Sequence, residues 1–337
     1  MTDIRAMLAS ANVVLGPMAG ITEAPFRGIC KSMGAGLTYT EMVGAKGLHY
    51  NPDSAISRAL LTFSPDETPC AVQVYGGDPE MMAEQARGIV ERHPGEVALI
   101  DINMGCPVSK VVARGEGSAL MRTPERAAAI VTRVAETCGV PVTVKIRAGW
   151  DAASVNAAEF ARAMEAAGAS AIAVHGRTRD QFYLGKADWG VIAAVKRAVS
   201  VPVIGSGDVV SAADARAMLE RTGVDAVMVA RGAQGHPWIF REARALIDTG
   251  VEIAPPSPFE RVDMARRHAA ALVAFDTPRT FVRIRKHVGW YVTGLPGATY
   301  LRARVNSAES YEDLDAALVE YRAFLEWRLG APPTSAL

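Results

Sequence analysis

The sequence is short of cysteine, of aromatic rings and of surplus charge. Four cysteines (Cys30, Cys70, Cys106 and Cys138) in 337 residues are too few and too scattered for a disulfide framework, and with no C-x-x-C pair they do not form a zinc signature. Acidic and basic residues balance at 36 each. That excludes a protein that coats nucleic acid by bulk charge, though not one with a local basic patch. No uncharged apolar run reaches the ~18 residues of a membrane helix. Met1–Gly20 lacks the charged start, apolar stretch and cleavage site of a signal peptide. The expectation is a cytoplasmic protein with no metal, no membrane contact and no evident obligate protein partner. Half of the residues are hydrophobic, so a large core can form and wholesale disorder is excluded.

What is present is a regular alternation. Eight short runs predict strands at Val13–Met18, Leu37–Met42, Ala71–Tyr75, Ala98–Asn103, Val142–Arg147, Ala171–His175, Val201–Gly205 and Ala226–Ala230. Ala-rich stretches with helical spacing lie between them, including Glu80–Arg92, Pro124–Thr137, Ala157–Ala167, Val191–Val199 and Ala212–Arg221. Asp78, Thr123 and Ser211 stand where helix N-caps or starts belong, and Gly139, Gly168 and Gly223 where helices should end. Strands alternating with helices imply a parallel sheet, and eight units in ~245 residues match a closed (β/α)8 TIM barrel. The competing open, doubly wound sheet lacks support, because no G-x-G-x-x-G follows the first strand. After a stiff Pro-rich linker at residues 251–258 the strand pattern stops. Helices are predicted at Phe259–Phe275, Arg279–Val292 and Tyr311–Leu329, the last capped by Ser307 or Ser310. The expected organisation is thus a catalytic barrel over 1–250, a small C-terminal α-helical domain over 259–330, and a flexible tail at 331–337.

In such a barrel the chemistry belongs to the C-terminal ends of the strands. Those ends carry Met18, Glu41, Gln73, Asn103, Lys145, Arg147, His175, Arg177, Ser206-Gly207-Asp208 and Ala230-Arg231. Burying unpaired groups of this kind costs several kcal/mol, so a purely structural barrel would avoid gathering them on one rim. The glycine loops after the seventh and eighth strands are placed where barrels commonly bind phosphate. Lys145 offers a fixed charge or a Schiff-base amine. A phosphate anchor beside a cation and the Gln73 amide suits flavin mononucleotide (FMN), and a phosphorylated aldolase substrate nearly as well. Cys106, in Asn103-Met104-Gly105-Cys106-Pro107, is held over the mouth by the turn. An ordinary thiol, with a pKa of ~8.5, stays protonated at neutral pH and can act as an acid. The other three cysteines are expected to pack.

From Arg279 to Arg304 there are six basic residues and no acidic one. On a helix Phe281, Ile284, Val288 and Tyr291 share a core-facing side, which leaves Arg279, Arg283, Lys286, His287 and Trp290 opposite. Cations interleaved with an aromatic ring suit a phosphate backbone and an unstacked base.

Taken in order, Pro17-Met18-Ala19-Gly20-Ile21-Thr22, Gln73-Val74-Tyr75-Gly76, Asn103-Met104-Gly105-Cys106-Pro107-Val108-Ser109-Lys110-Val111, Val144-Lys145-Ile146-Arg147 and Val174-His175-Gly176-Arg177-Thr178-Arg179 resemble the signatures of the tRNA-dihydrouridine synthases. Arg285-Lys286-His287-Val288-Gly289-Trp290-Tyr291 resembles the bacterial B-type branch. The resemblance implies an FMN enzyme that uses NADPH to reduce the C5=C6 bond of uridines in the tRNA D-loop. It implies that Pro17, Met18 and Ala19 line the flavin, that Gln73 and Lys145 contact its ring, and that His175 lies close by. Ser206, Gly207, Asp208, Ala230 and Arg231 would form the phosphate site. Asn103 would face the uracil with Arg177 on the substrate side, and Cys106 would be the general acid. Ser206 and Ala230 stand where the family commonly has Asn and Gly; both keep a small residue and the backbone donors. A free-pyrimidine flavoenzyme of the dihydroorotate dehydrogenase kind leaves the basic helices unexplained. A Schiff-base aldolase leaves Cys106 idle, and a non-catalytic RNA-binding protein would not need the polar rim.

Overall fold

The computed structural model describes residues 3–275 and 279–330, so the tail expected at 331–337 lies outside the described residues. Eight parallel strands form the centre: β1 (Val13–Leu15), β2 (Val43–Gly44), β3 (Cys70–Tyr75), β4 (Val97–Met104), β5 (Val142–Arg147), β6 (Ala171–His175), β7 (Val203–Ser206) and β8 (Ala226–Val229). Their order is β1-β8-β7-β6-β5-β4-β3-β2, with helices between successive strands, as in a TIM barrel.

The second strand differs from expectation. The Leu37–Met42 run makes only single bridges, Leu15 to Thr38 and Tyr39 to Ala71, and regular pairing begins at Val43. The run still closes the ring. Gly36 N–H donates to Val13 O at 2.8 Å, Leu15 N–H to Leu37 O at 2.9 Å, and Thr40 N–H to Ala71 O at 2.9 Å. The ladder then breaks because the Thr40 hydroxyl, not a backbone carbonyl, accepts the Gln73 N–H at 3.1 Å.

Strand alternation separates two environments. On β4, Ile100, Ile102 and Met104 face the helices, as do Val142, Val144 and Ile146 on β5, where they join the large outer core. The inward series begins apolar, with Leu99, Ala171, Ile204 and Ala226 packed around Ile4 and Leu8 of the Ile4–Ser10 helix that plugs the bottom. It becomes polar toward the C-terminal rim. The caps at Asp78 and Ser211 accept backbone N–H groups as expected, and Gly139, Gly168 and Gly223 take positive φ at the helix ends.

Residues 251–257 have no regular structure and lead into four helices, Pro258–Phe275, Thr280–Tyr291, Ala298–Ser307 and Tyr311–Leu329. The third was not anticipated. Ser310 caps the fourth through a reciprocal pair with Asp313. These helices bury Val262, Leu272, Ile284, Val288, Leu314 and Leu318 in a core of their own, to which the barrel side contributes Ile29 and Trp238.

Candidate active site

The polar rim encloses a cavity of about 440 Å³. Pro17, Met18, Ala19, Gln73, Asn103, Cys106, Lys145, His175, Ser206, Gly207, Asp208, Ala230 and Arg231 all line it. Arg147, Tyr183 and Gln234 join them, together with apolar walls from Met42, Val209 and Met228. These residues come from every part of the barrel, and only closure of the ring brings them together.

Charge at the site is unbalanced. Burial, reinforced by the neighbouring Arg147, pulls Lys145 down to about 8 against the opposing pull of Asp101. Burial likewise lowers Arg147 to about 10, and its guanidinium donates to the carbonyls of Gly105 (2.8 Å), Thr178 (2.8 Å) and Phe182 (2.9 Å). His175 is driven to about 2 by burial and by the cations Lys145, Arg147, Arg177 and Arg231, so its imidazole is neutral at any physiological pH. The Cys106 thiol is raised by burial, which outweighs the Val108 N–H, Arg147 and Lys145, and it keeps its proton. Tyr183 lies beneath two guanidinium groups, 4.7 Å from Arg231 and 5.8 Å from Arg147.

The turn that carries Cys106 is pinned by its own strand. Asn103 Oδ1 accepts the N–H of Cys106 at 2.9 Å and that of Gly105 at 3.1 Å. The two glycine loops are close-packed. A Cβ at Gly207 (φ +122°) would lie 2.7 Å from Ala187 Cβ, and one at Gly232 would lie 2.3 Å from the Val209 carbonyl. Cys30, Cys70 and Cys138 are free and buried, as expected of packing residues.

Several expectations need correction. Arg177 does not face the cavity. It is buried, and its guanidinium grips Asp208 at 2.7 and 2.9 Å and the carbonyls of Leu184 and Gly185, which makes it a brace for the loop. Asp208, expected at a phosphate site, spends its carboxylate on Arg177 and on the Ala187 N–H at 2.7 Å, with Arg231 3.7 Å away, so any anion binding there comes from Arg231 and the loop backbone and not from Asp208.

The basic face of the Thr280–Tyr291 helix is largely a seam against the barrel. Arg283 reaches Glu41 at 3.0 Å and Glu23 at 3.6 Å, supplying the carboxylates that its own segment lacks. Glu41 in turn accepts the Gly20 N–H, at 2.5 Å, from the loop that carries Pro17–Ala19. His287 is buried, not exposed, 3.2 Å from Glu23 and with its ring tilted against those of Phe26 and His268. His268 approaches Glu23 at 3.4 Å and Tyr291 Oη at 3.2 Å. Burial alone would raise Glu23, but the two imidazoles outweigh it and hold the carboxyl well below its usual range. Trp290 is half-buried, edge-on to His287 at 5.2 Å. Arg279 and Lys286 remain exposed.

Comparison with known proteins decides the family. The dihydrouridine synthase (Dus) profile matches residues 14–326. The chain belongs to the dihydrouridine synthase family. It is 44% identical to tRNA-dihydrouridine synthase B of Pseudomonas putida over 94% of this chain and 92% of that one. It is 41% identical to tRNA-dihydrouridine synthase B of Escherichia coli K12 over 92% and 95%. This dihydrouridine synthase is therefore an oxidoreductase. Its barrel also superposes on histamine dehydrogenase from a Rhizobium species, with a TM-score of 0.52 at 12% identity over 80% of this chain and 50% of that one, a likeness of fold. Among the described residues no helix is long and apolar enough to cross a membrane.

Proposed function

We propose that this dihydrouridine synthase binds FMN in the barrel cavity and, with NADPH as reductant, reduces the C5=C6 bond of uridines in the tRNA D-loop. The donor set fits such a group. An isoalloxazine ring needs apolar walls, which Pro17, Met18, Ala19 and Met42 provide, and in-plane polar partners, for which Gln73, Lys145 and neutral His175 are suited. A phosphate needs cations and backbone donors, and these are the properties of Arg231 and of the Ser206-Gly207 and Ala230-Gly232 loops.

When bound, reduced FMN supplies hydride to C6 of the uracil. Cys106 supplies the other half of the reaction: its thiol proton goes to C5, and solvent returns a proton to the thiolate. A positioned general acid contributes about 10²–10⁴-fold in rate. Lys145 stabilises negative charge beside it, and Asn103 orients the turn from which Cys106 acts. The uridine has to leave its stack to enter the cavity, at a cost of a few kcal/mol, roughly, that is least in an irregular loop. Exposed Arg279 and Lys286 are the groups best placed to meet phosphates; Arg283 and Trp290 act from the seam.

The observation that carries this reading is the placement of Cys106, on a turn pinned by Asn103, in the same cavity as Lys145. The test is to incubate the flavin-loaded enzyme and NADPH with tRNA lacking dihydrouridine and to analyse digested nucleosides by mass spectrometry. A uridine heavier by two hydrogens, mapped to the D-loop, is expected. A reducible enzyme that leaves tRNA untouched but reduces free pyrimidines would overturn it.

A further inference from the structure

One buried carboxylate inside the barrel has no part in the reading above. Asp101 is fully buried midway along β4, and both of its oxygens are engaged. Oδ1 accepts from the Thr143 hydroxyl at 2.6 Å and Oδ2 accepts from Gln73 Nε2 at 2.7 Å. Gln73 Oε1 accepts from Asn103 Nδ2 at 2.8 Å, and Asn103 Oδ1 accepts the backbone N–H groups of Cys106 and Gly105. The strand register sets Thr143, Asp101 and Gln73 side by side across β5, β4 and β3, so this chain of bonds is a consequence of the sheet itself.

Every amide in the chain points the same way. A side-chain amide turned over by half a rotation keeps its shape and exchanges donor for acceptor, so its partners alone decide its sense. An ionised carboxylate can only accept. It fixes Gln73 Nε2 inward, which leaves Oε1 to take the Asn103 NH2 and leaves the Asn103 oxygen to face the Cys106 turn. If Gln73 turned over, Asn103 would follow, and its NH2 would confront two backbone N–H donors.

We propose that Asp101 is a positioning residue for uridine reduction: it sets the sense of the Gln73 and Asn103 amides and, through them, holds the turn that aims the Cys106 thiol. This rests on the reading of Cys106 as the proton donor. The groups facing Asp101 are Gln73 on β3, Thr143 and Lys145 on β5, and Tyr39 from the segment that closes the ring. Burial raises Asp101 to about 6, against the two hydrogen bonds and Lys145. Below that pH it gains a proton, and whenever that proton sits on Oδ2 the carboxyl can donate to Gln73, so the sense of the amide is no longer enforced.

The test compares the wild type with Asp101→Asn and Asp101→Ala as flavin-loaded enzymes. Dithionite-reduced protein is mixed with unmodified tRNA for a single turnover, reduction by NADPH is followed separately, and Cys106 alkylation by iodoacetamide is timed by mass spectrometry. Single-turnover uridine reduction is expected to fall by about a hundredfold in Asp101→Ala, the scale of a reacting group displaced by an ångström. Asp101→Asn, which still offers one oxygen, should recover part of that loss and lack the wild type's decline in rate below pH 6. Flavin reduction by NADPH does not use the thiol, though it meets the same Gln73 and Lys145, so it should fall far less than uridine reduction in both. Cys106 alkylation should change severalfold in Asp101→Ala. Wild-type rates and alkylation in both variants would overturn the proposal. So would equal loss of both half-reactions, which marks a merely structural role. If Asp101→Ala does not fold, the near-isosteric Asp101→Asn carries the comparison by its rate and pH profile. If the wild type itself leaves tRNA unreduced, the functional reading fails, while alkylation still decides whether Asp101 governs the turn.

Discussion

Two residues on the cavity wall sit on useful sides of neutrality, for the same cause. Burial penalises charge, so it lifts the Cys106 thiol and lowers the Lys145 ammonium. The thiol therefore arrives with a proton to give. Cys106→Ala should keep flavin and tRNA binding and lose about 10²–10⁴-fold in single-turnover uridine reduction; an unchanged rate would remove Cys106 from the mechanism. Lys145 is a cation below about 8 and neutral above it. Affinity of the cofactor-free protein for FMN, followed by quenching of flavin fluorescence, should weaken severalfold from pH 7 to pH 9. In Lys145→Met it should be weaker throughout and flat across that interval. Asp101 was also legible in principle. In the run Val97–Met104 the inward positions are 99, 101 and 103, and an acid two places before Asn103 breaks an otherwise apolar strand. What the run does not disclose is which neighbours on β3 and β5 meet it.

At the scale of the element, the Thr280–Tyr291 helix shows how a pattern can be read correctly and assigned wrongly. Ile284, Val288 and Tyr291 face the helical core, as their spacing predicts, whereas Phe281, expected with them, is only half-buried. The opposite side carries cations, and an exposed nucleic-acid face is the natural inference. Instead the Ala24–Ser32 helix and the Glu41 segment cover half of it, drawing Arg283 and His287 inward. The consequence is separable by mutation. Arg283→Met strands Glu41 beside the seam and should cost on the order of 3 kcal/mol in urea unfolding, the scale for one lost partner of a buried pair. Lys286→Glu should leave the unfolding midpoint unchanged while weakening tRNA binding and flattening its salt dependence. Equal stability losses in the two variants would mean that the seam does not hold as described.

The whole molecule is a barrel and a helical bundle joined by an ionic seam under which lies a shared apolar contact through Ile29 and Trp238. That seam should respond to acid. Glu23 titrates lower in the folded chain than its ordinary 4.5, so the stability it contributes is present above 4.5 and lost as pH falls below it. His268, lowered by burial to about 4 from 6.5, opposes folding increasingly as pH drops below 6.5. Both act in one direction, so stability to urea should decline from about pH 6.5 downward, and Glu23→Gln should lower stability at pH 7 and shallow the part of the decline that lies below pH 4.5. A decline as steep as in the wild type would place the acid-sensitive groups elsewhere. The sequence alone determined the parallel barrel, the inward polar rim and the family, because strand alternation and short-range motifs are written in neighbouring residues. Only the tertiary structure decided which polar side chains meet the cavity and which meet protein. The ion pairs Arg177–Asp208 and Arg283–Glu41 and the approach of His287 to Glu23 join residues between 31 and 264 places apart in the chain. Such pairings are settled by packing between elements, and a local pattern carries no trace of them.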